Sequence, residues 1–451
     1  MPSETTIRPA DAVNVEAALE RARHAVDLAT SAGADHAVAQ YGSARSLELQ
    51  QREGRVESIE ESRSASIGVQ LWVDGRYSSH VTTDLRPATL AKFVTDAVAM
   101  TRLLEQDPHR RPVPRALWED RADVDLDQVD PAVDALGQDD RLAICAAIED
   151  AARADAAVLS ATAYHSDGHV LFARAAADGF EGTGEHTSLS FGATVSVKDA
   201  GDKRPEAYRF TGAAHRADVP DPGTIGSEAL ERALARRGAA KAPSARATMV
   251  LTPQAASPFM RRVLGAMQAG AVQQRRSFLE GRLGDRIASE HLDLWDEPHR
   301  PRSGASRLFD SEGMATKRRH LIAGGVLETF FVDTYYGSKL GWAPTTTGST
   351  NVVFAGGAGD LESLVSGVDR GFLVAGWLGG NSNPTTGDYS FGIHGHRIEG
   401  GRLTTPVAEM NVTGSYADLL PRLAAVGDDP EPWSTFRSPT LVFEGVDFSG
   451  S

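Results

Sequence analysis

Apolar residues recur at helical spacing through "VNVEAALERARHAVDLATS", which predicts a helix from about Val15 to Ser31, with Gly33 placed to cap its C-terminus. The pattern then switches to alternation, and several antiparallel strands are expected up to Thr83. Val73-Asp74-Gly75-Arg76 supplies a hairpin turn centred on Asp-Gly. A second helix is predicted in "RPATLAKFVTDAVAMTRLLE", with Pro87 near its start. The order helix, strands, helix then recurs: a helix in "DDRLAICAAIEDAARA", a meander from Ala157 to His215, and a polar helix in "GTIGSEALERALARRGAAKAP". From Ala245 onward the pattern breaks into short strands, glycines and turns. The fold class expected is α+β, two N-terminal helix/antiparallel-sheet units followed by a β-rich C-terminal domain. Domains are drawn at 10–110, 118–242 and 245–451. The stretch "QDPHRRPVPRALWED", with three prolines and three arginines, marks the first junction.

The length of 451 residues fits several cores rather than one. A net charge of −15 repels phosphate backbones, so nucleic-acid binding would need a local basic patch. Arg261, Arg262, Arg275 and Arg276 are candidates for one, or for packing against acidic residues, or for binding a peptide carboxylate. Cys145 is the single cysteine, which excludes an intramolecular disulfide and a cysteine-rich zinc site; its apolar neighbours predict a buried thiol. The N-terminal residues show no apolar leader, and no run approaches a membrane span, so a cytoplasmic protein is expected.

Candidate chemistry concentrates in the C-terminal third. His165 and His169 in "HSDGH" flank an Asp-Gly read as the turn of a solvated hairpin. His394 and His396 would share one face of a strand, as a polar groove wall, an exposed sheet face, or two of the ligands of a metal. Ser382 and Ser390 lie near them, yet no nucleophile-elbow motif is present, and asparagine, serine and threonine in tight turns also satisfy the backbone. Asp310 and Glu312 are an acid pair or the start of a hairpin. Tyr335, followed by Thr345, Thr346 and Thr347, suggests a tyrosine-covered loop whose amides could pair with an extended peptide, or a helical turn and a plain loop.

"RRSFLEGRLGDRI", "LFDSEGMATKRRHLIAGGVLETFFVDTYYGSKLG", "GNSNPTTGDYSFGIHGHRIEGGRLTTPVAEM" and "RSPTLVFEGVDFSG" stand in an order that resembles the TldD/PmbA family of metallopeptidases, over most of Ala245 to Ser451. One branch of that family carries a zinc-binding HExxxH helix upstream of the block that here reads "EGRLGD", and a C-terminal cysteine. The corresponding positions here are Met260, Arg261 and Gly265, and the C-terminal cysteine is missing. The chain therefore resembles the PmbA/TldE branch, which lacks the metal motif. The resemblance implies no cofactor in this chain, zinc in a TldD-like partner subunit, and a heterodimer; self-association as a homodimeric peptide-binding or gyrase-modulator protein is the alternative. Neither membrane nor nucleic acid is implied as a partner. It also points to Asn381, Ser382, Asn383, Asp388 and Tyr389 as groove or interface residues. His394, His396, Tyr335, Thr345, Thr346, Thr347, Arg275 and Arg276 are added as further substrate-facing or interface candidates.

Overall fold

The computed structural model describes residues 14–450; the reading of the extreme N-terminus as lacking an apolar leader falls largely outside them. In chain order the elements are α1 (Val15–Ser31), β1 (His36–Arg52), β2 (Arg55–Val73), β3 (Arg76–Thr82), α2 (Pro87–Thr101), α3 (Pro131–Asp134), α4 (Gln138–Ala152), β4 (Val158–Ala176), β5 (Glu181–Val197), β6 (Glu206–Ala213) and α5 (Pro222–Leu234). The C-terminal region adds β7 (Ala245–Leu251), α6 (Pro253–Ala266), α7 (Ala269–Gln273), β8 (Leu294–Asp296), β9 (Arg319–Ala323), β10 (Val326–Leu327), α8 (Thr334–Leu340) and β11 (Val352–Phe354). It closes with β12 (Arg370–Ser382), β13 (Asp388–Glu399), β14 (Arg402–Ser415), β15 (Leu423–Val426), β16 (Phe436–Arg437) and β17 (Leu441–Ser449). Mixed helices and mostly antiparallel strands, with a β-rich C-terminal region, make this an α+β protein. The first six strands run in the order β3-β2-β1-β4-β5-β6.

The chain divides into two compact units. One takes the described part of Met1–Leu47 with Glu61–Asp120 and Gly168–Thr187. Within it, Asn14 caps α1 by accepting the Ala17 amide, and the small inward face of Ala18, Ala22, Ala25 and Ala29 packs in one core with Ile67, Val69 and Leu71. The Asp-Gly turn joins β2 to β3, with Val73 paired to Arg76, so the hairpin read from sequence forms at that position.

The other unit takes Glu48–Glu60, Arg121–Asp167 and Ser188–Ser451. Here α4 packs on α5 so closely that a Cβ on Gly226 would stand 2.1 Å from the Ile148 carbonyl oxygen. The buried stripe of α4 carries charge at both ends, Arg141 and Glu149, with Ile144, Cys145 and Ile148 between them. Burial and the Glu149 carboxylate push the Cys145 thiol up to about 12, so the thiol is buried and stays protonated, as its apolar surroundings predict. Glu149 accepts from the Gln51 amide at 3.0 Å and from the Gly54 N–H at 3.1 Å. Arg141 donates from Nε and Nη2 to the two oxygens of Asp167, at 2.6 and 3.0 Å, and Asp167 also bonds His165 Nε2 at 3.0 Å. This corrects the reading of "HSDGH" as a solvated hairpin turn. Strand β4 runs straight through Asp167-Gly168, and the His165 and Asp167 side chains are fully buried. The turn signal is overridden because Arg141, 26 residues upstream, supplies the charge that lets the aspartate enter the core.

Beyond Ala245, β7 pairs in parallel with β12 and antiparallel with β17. The order β14-β13-β12-β7-β17-β15, with a further β14–β17 pairing at Asn411–Thr413, closes five of these strands on themselves. A second sheet has the order β10-β9-β8-β11-β16. The core between them contains Phe259 and Met260 of α6 together with Phe372, Ile393, Met410 and Phe443.

Candidate functional site

Helix α6 starts with Thr252 as its cap, whose hydroxyl accepts the Ala255 amide at 3.2 Å, and with Pro253 in the first turn. Its inward stripe includes Phe259, Met260, Val263 and Leu264, all buried. Met260 is therefore a core side chain at 1% exposure, while Arg261 and Gly265 lie on the exposed side. The three positions do not share a face. No group of three or more His, Cys, Asp or Glu residues among those described could hold a metal ion.

The hairpin β12–β13 is fastened to this helix. Its register pairs Asn381 with Ser390 and Ser382 with Tyr389. The turn closes through Asn383 N–H to the Asp388 carbonyl and Gly387 N–H to the Asn383 carbonyl, both 2.8 Å. The Asn383 side chain accepts the Thr385 amide, and the Thr386 hydroxyl donates to Asp388 at 2.6 Å, so these two polar residues fix the turn as their type predicts. Gly387 is required by its φ of +79° and by the Phe278 ring against its Cα. Phe278 N–H donates to the Pro384 carbonyl, and Arg262 Nε donates to Ser382 Oγ at 3.1 Å while its guanidinium lies 4.7 Å from the Phe391 ring centre. Tyr389 is buried against Phe259 and Tyr416. Asn381 and Asp388 stay exposed at the strand ends.

The other candidates are placed around this frame. Thr345 donates to the Phe330 carbonyl and accepts the Val332 amide, and its own amide donates to the Val332 carbonyl. Thr346 is buried on Asp310, and the Thr347 amide donates to Asp310 Oδ2 at 2.9 Å. Asp310 also takes the amides of Glu312, Gly313 and Met314 on Oδ1. Asp310 is thus the knot of two loops, and the amides of Thr345 and Thr347 are used inside the fold instead of facing an extended peptide. Burial pushes the Glu312 carboxyl above its ordinary range, although the Thr334 amide donates to it. Tyr335 sits on α8 beneath Lys339, with 4.4 Å between ammonium and ring centre. Arg275 follows Gln274, the C-cap of α7, with a φ of +54°, and Arg276 bonds the Gln274 side chain, which donates in turn to Tyr336 at 3.0 Å.

A cleft of about 660 Å³ runs along the outer side of α6. Its walls combine segments far apart in sequence: Tyr208 and Phe210 from β6, Arg261 and Arg262 from α6, and Trp433 and Phe436 near β16. No local motif marks it, and sequence reasoning missed it; the two aromatics at alternate positions Tyr208 and Phe210 in "EAYRFTGA" are a signal for it, since they fall on one face of a strand.

Models of the PmbA/TldA metallopeptidase match domain 1 over residues 37–101, the central domain over 131–237 and the C-terminal domain over 244–450. The chain belongs to the PmbA/TldD family. It is 27% identical over 434 residues to metalloprotease PmbA of Escherichia coli O157:H7, covering 94% of each. It is 36% identical to a crystallised candidate modulator of DNA gyrase from Bacteroides thetaiotaomicron, with a TM-score of 0.94 over 97% of this chain and 100% of that one. TldE from Thermococcus kodakarensis shares the fold, with a TM-score of 0.84 at 18% identity over 95% of this chain and 100% of that one. No helix of this family member is long and apolar enough, among the described residues, to cross a membrane.

In this PmbA/TldD chain the two histidines of β13 share a face but are not hydrogen-bonded to a serine. Ser382 is engaged by Arg262, and the Nδ1 atoms of His394 and His396 are buried without a partner among the described residues. His394 packs on Gly376, where a Cβ would come within 2.4 Å of Nε2. Burial, helped by the positive Arg236 and by His396, lowers its pKa from 6.5 to about 4. Burial likewise lowers that of His396, against an opposing hydrogen bond with the Ala235 backbone. Between these limits the unfolded chain binds the proton and the folded chain refuses it. Stability at His394 is therefore complete above pH 6.5 and lost as the pH falls towards 4, by on the order of 2–3 kcal/mol. The His394→Gln variant is expected to lose less stability than the parent between pH 7 and 4.5, measured by urea midpoints at each pH.

Proposed function

We propose that this chain is a PmbA/TldE-type subunit of a TldD/PmbA metallopeptidase complex. In this reading it contributes to the proteolysis of unfolded or small peptides while the zinc resides in a TldD-like partner. The observation that carries the reading is α6: a core thioether at Met260, a guanidinium at Arg261 and a bare glycine at Gly265 occupy the positions where the resemblance expects ligand, base and ligand. A fixed guanidinium opposes a dication and cannot serve as a general base. The hairpin at Asn381–Ser390, whose side chains set its own turn and whose strand end is tied to α6, suits the shaping of a groove or a subunit contact better than bond cleavage.

Metal analysis of the purified chain is expected to give no stoichiometric zinc, and a peptidase assay no cleavage. Chelator-sensitive cleavage is expected only when an HExxxH-bearing subunit is co-purified. Chelator-sensitive cleavage by the lone chain would defeat the proposal. The alternative is a homodimeric binding or modulator protein, which the naming of the Bacteroides relative favours. Mass measurement of the assembled complex and capture of gyrase subunits at physiological salt separate the two.

A further inference from the structure

The acidic residues of the α6 cleft are paired, whereas two of its arginines have no carboxylate partner among the described residues. Glu431 accepts from Arg209 Nη1 on both oxygens at 3.0 Å, from Gln254 at 3.1 Å and from the Trp433 indole at 3.0 Å. Glu228 takes the Arg209 Nε. The Arg261 guanidinium, by contrast, has no carboxylate or carbonyl partner among the described residues. Its contact is the face of Phe436, 5.1 Å from the ring centre. Beside it, Arg262 binds a hydroxyl and the Pro258 carbonyl but no carboxylate. The cleft therefore presents unneutralised positive charge against an aromatic wall. That wall is continuous: Phe210 lies 4.4 Å from Trp433 and 6.1 Å from Tyr208, and Tyr208 and Phe210 are 62% and 43% exposed. Cleft and walls belong to one compact unit.

We propose that this cleft captures the C-terminus of a peptide, with the free α-carboxylate on Arg261 and an apolar terminal side chain against Phe210, Trp433 and Phe436. A planar guanidinium matches a carboxylate bidentately, and aromatic faces suit an apolar or aromatic side chain. A polyanion is disfavoured, because the chain carries a net charge of −15 and a single carboxylate feels far less of that repulsion than a nucleic acid would. Ser257 and Ser434 line the same cleft; their hydroxyls donate to the Phe436 carbonyl at 3.5 and 2.6 Å, which leaves oxygen lone pairs to accept the N–H of the terminal residue. The assignment rests on the peptide-handling reading above and adds which end of the peptide this chain holds.

Fluorescence polarisation of the full chain with an N-terminally labelled pentapeptide ending in phenylalanine tests it. The free-acid peptide is expected to bind about 10-fold or more tightly than its C-terminal amide, the worth of one charge-assisted pair. Arg261→Met should abolish that preference while thermal melting shows the variant folded, and Arg261→Lys should retain part of it. Trp433→Ala should weaken acid and amide alike. Equal binding of acid and amide, an undiminished preference in Arg261→Met, or no binding of either peptide would overturn the proposal. An amide carrying an internal aspartate that binds as well as the free acid would overturn it too, by showing that a side-chain carboxylate suffices. Failure here is separable from failure of the subunit reading: a chain that still co-purifies with an HExxxH subunit and supports its cleavage, yet shows no acid preference, removes the cleft assignment alone.

Discussion

Replacing Arg141 with alanine is expected to destabilise the protein by about 3–5 kcal/mol, the usual consequence of deleting one partner of a buried ion pair. The Asp167 side chain has no solvent exposure and that of Arg141 only 8%. Removal of the guanidinium takes away a two-pronged bond at 2.6 and 3.0 Å and leaves the carboxylate in the core with His165 Nε2 beside it. Water cannot readily replace what is lost, since the Asp167 side chain is closed to solvent. Chemical denaturation of the single variants and of Arg141→Ala/Asp167→Ala checks the cause. The double variant should recover part of the loss, because the charge that was stranded is gone as well. A single variant within about 1 kcal/mol of the parent would show that the pair is not a determinant of stability.

Asp310→Ala carries the second large effect, expected at about 3–4 kcal/mol, the range for breaking a buried hydrogen-bond network. Five donors converge on this carboxylate: the amides of Glu312, Gly313 and Met314 on one oxygen, and the Thr347 amide and Thr346 hydroxyl on the other. Alanine leaves the amides of Glu312, Met314 and Thr347 without that acceptor in a site that is 3% exposed, while the Gly313 amide keeps the Asp310 carbonyl and the Thr346 hydroxyl the Gly348 carbonyl. Asp310→Asn keeps one carbonyl and should cost less, because only the second oxygen is exchanged for a donor. Hydrogen exchange should show faster opening at residues 311–314 and 345–348 in the alanine variant. Unchanged exchange in either loop would show that the carboxylate does not join them.

How far the sequence could be read depends on the range of the forces involved. Helix α1 and the Asp74-Gly75 turn are encoded within a few residues, by apolar spacing, an Asn14 cap and a left-handed φ at both turn positions, and they form where the pattern places them. The Asn383–Asp388 turn is legible for the same reason, since its side chains bond within the turn itself. Asp167-Gly168 carries an equally good local turn signal and is overruled, because its partner lies on a helix that the local pattern does not connect to it. The same limit hid the cleft, whose walls come from three separate segments of chain. It also concealed the role of Asp310, which was legible as a turn residue but not as the acceptor for a threonine loop 36 residues downstream.

Closure of the C-terminal strands on themselves has a kinetic corollary. β7 and β17 are neighbours in the finished structure, Val250 opposite Val442, yet nearly the whole region lies between them in the chain. Their zipping must wait until the intervening meander has collapsed, because the entropy of joining such distant ends is spent before any contact repays it. Refolding of this half should accordingly be slow and all-or-none, with no stable fragment stopping short of the last strand.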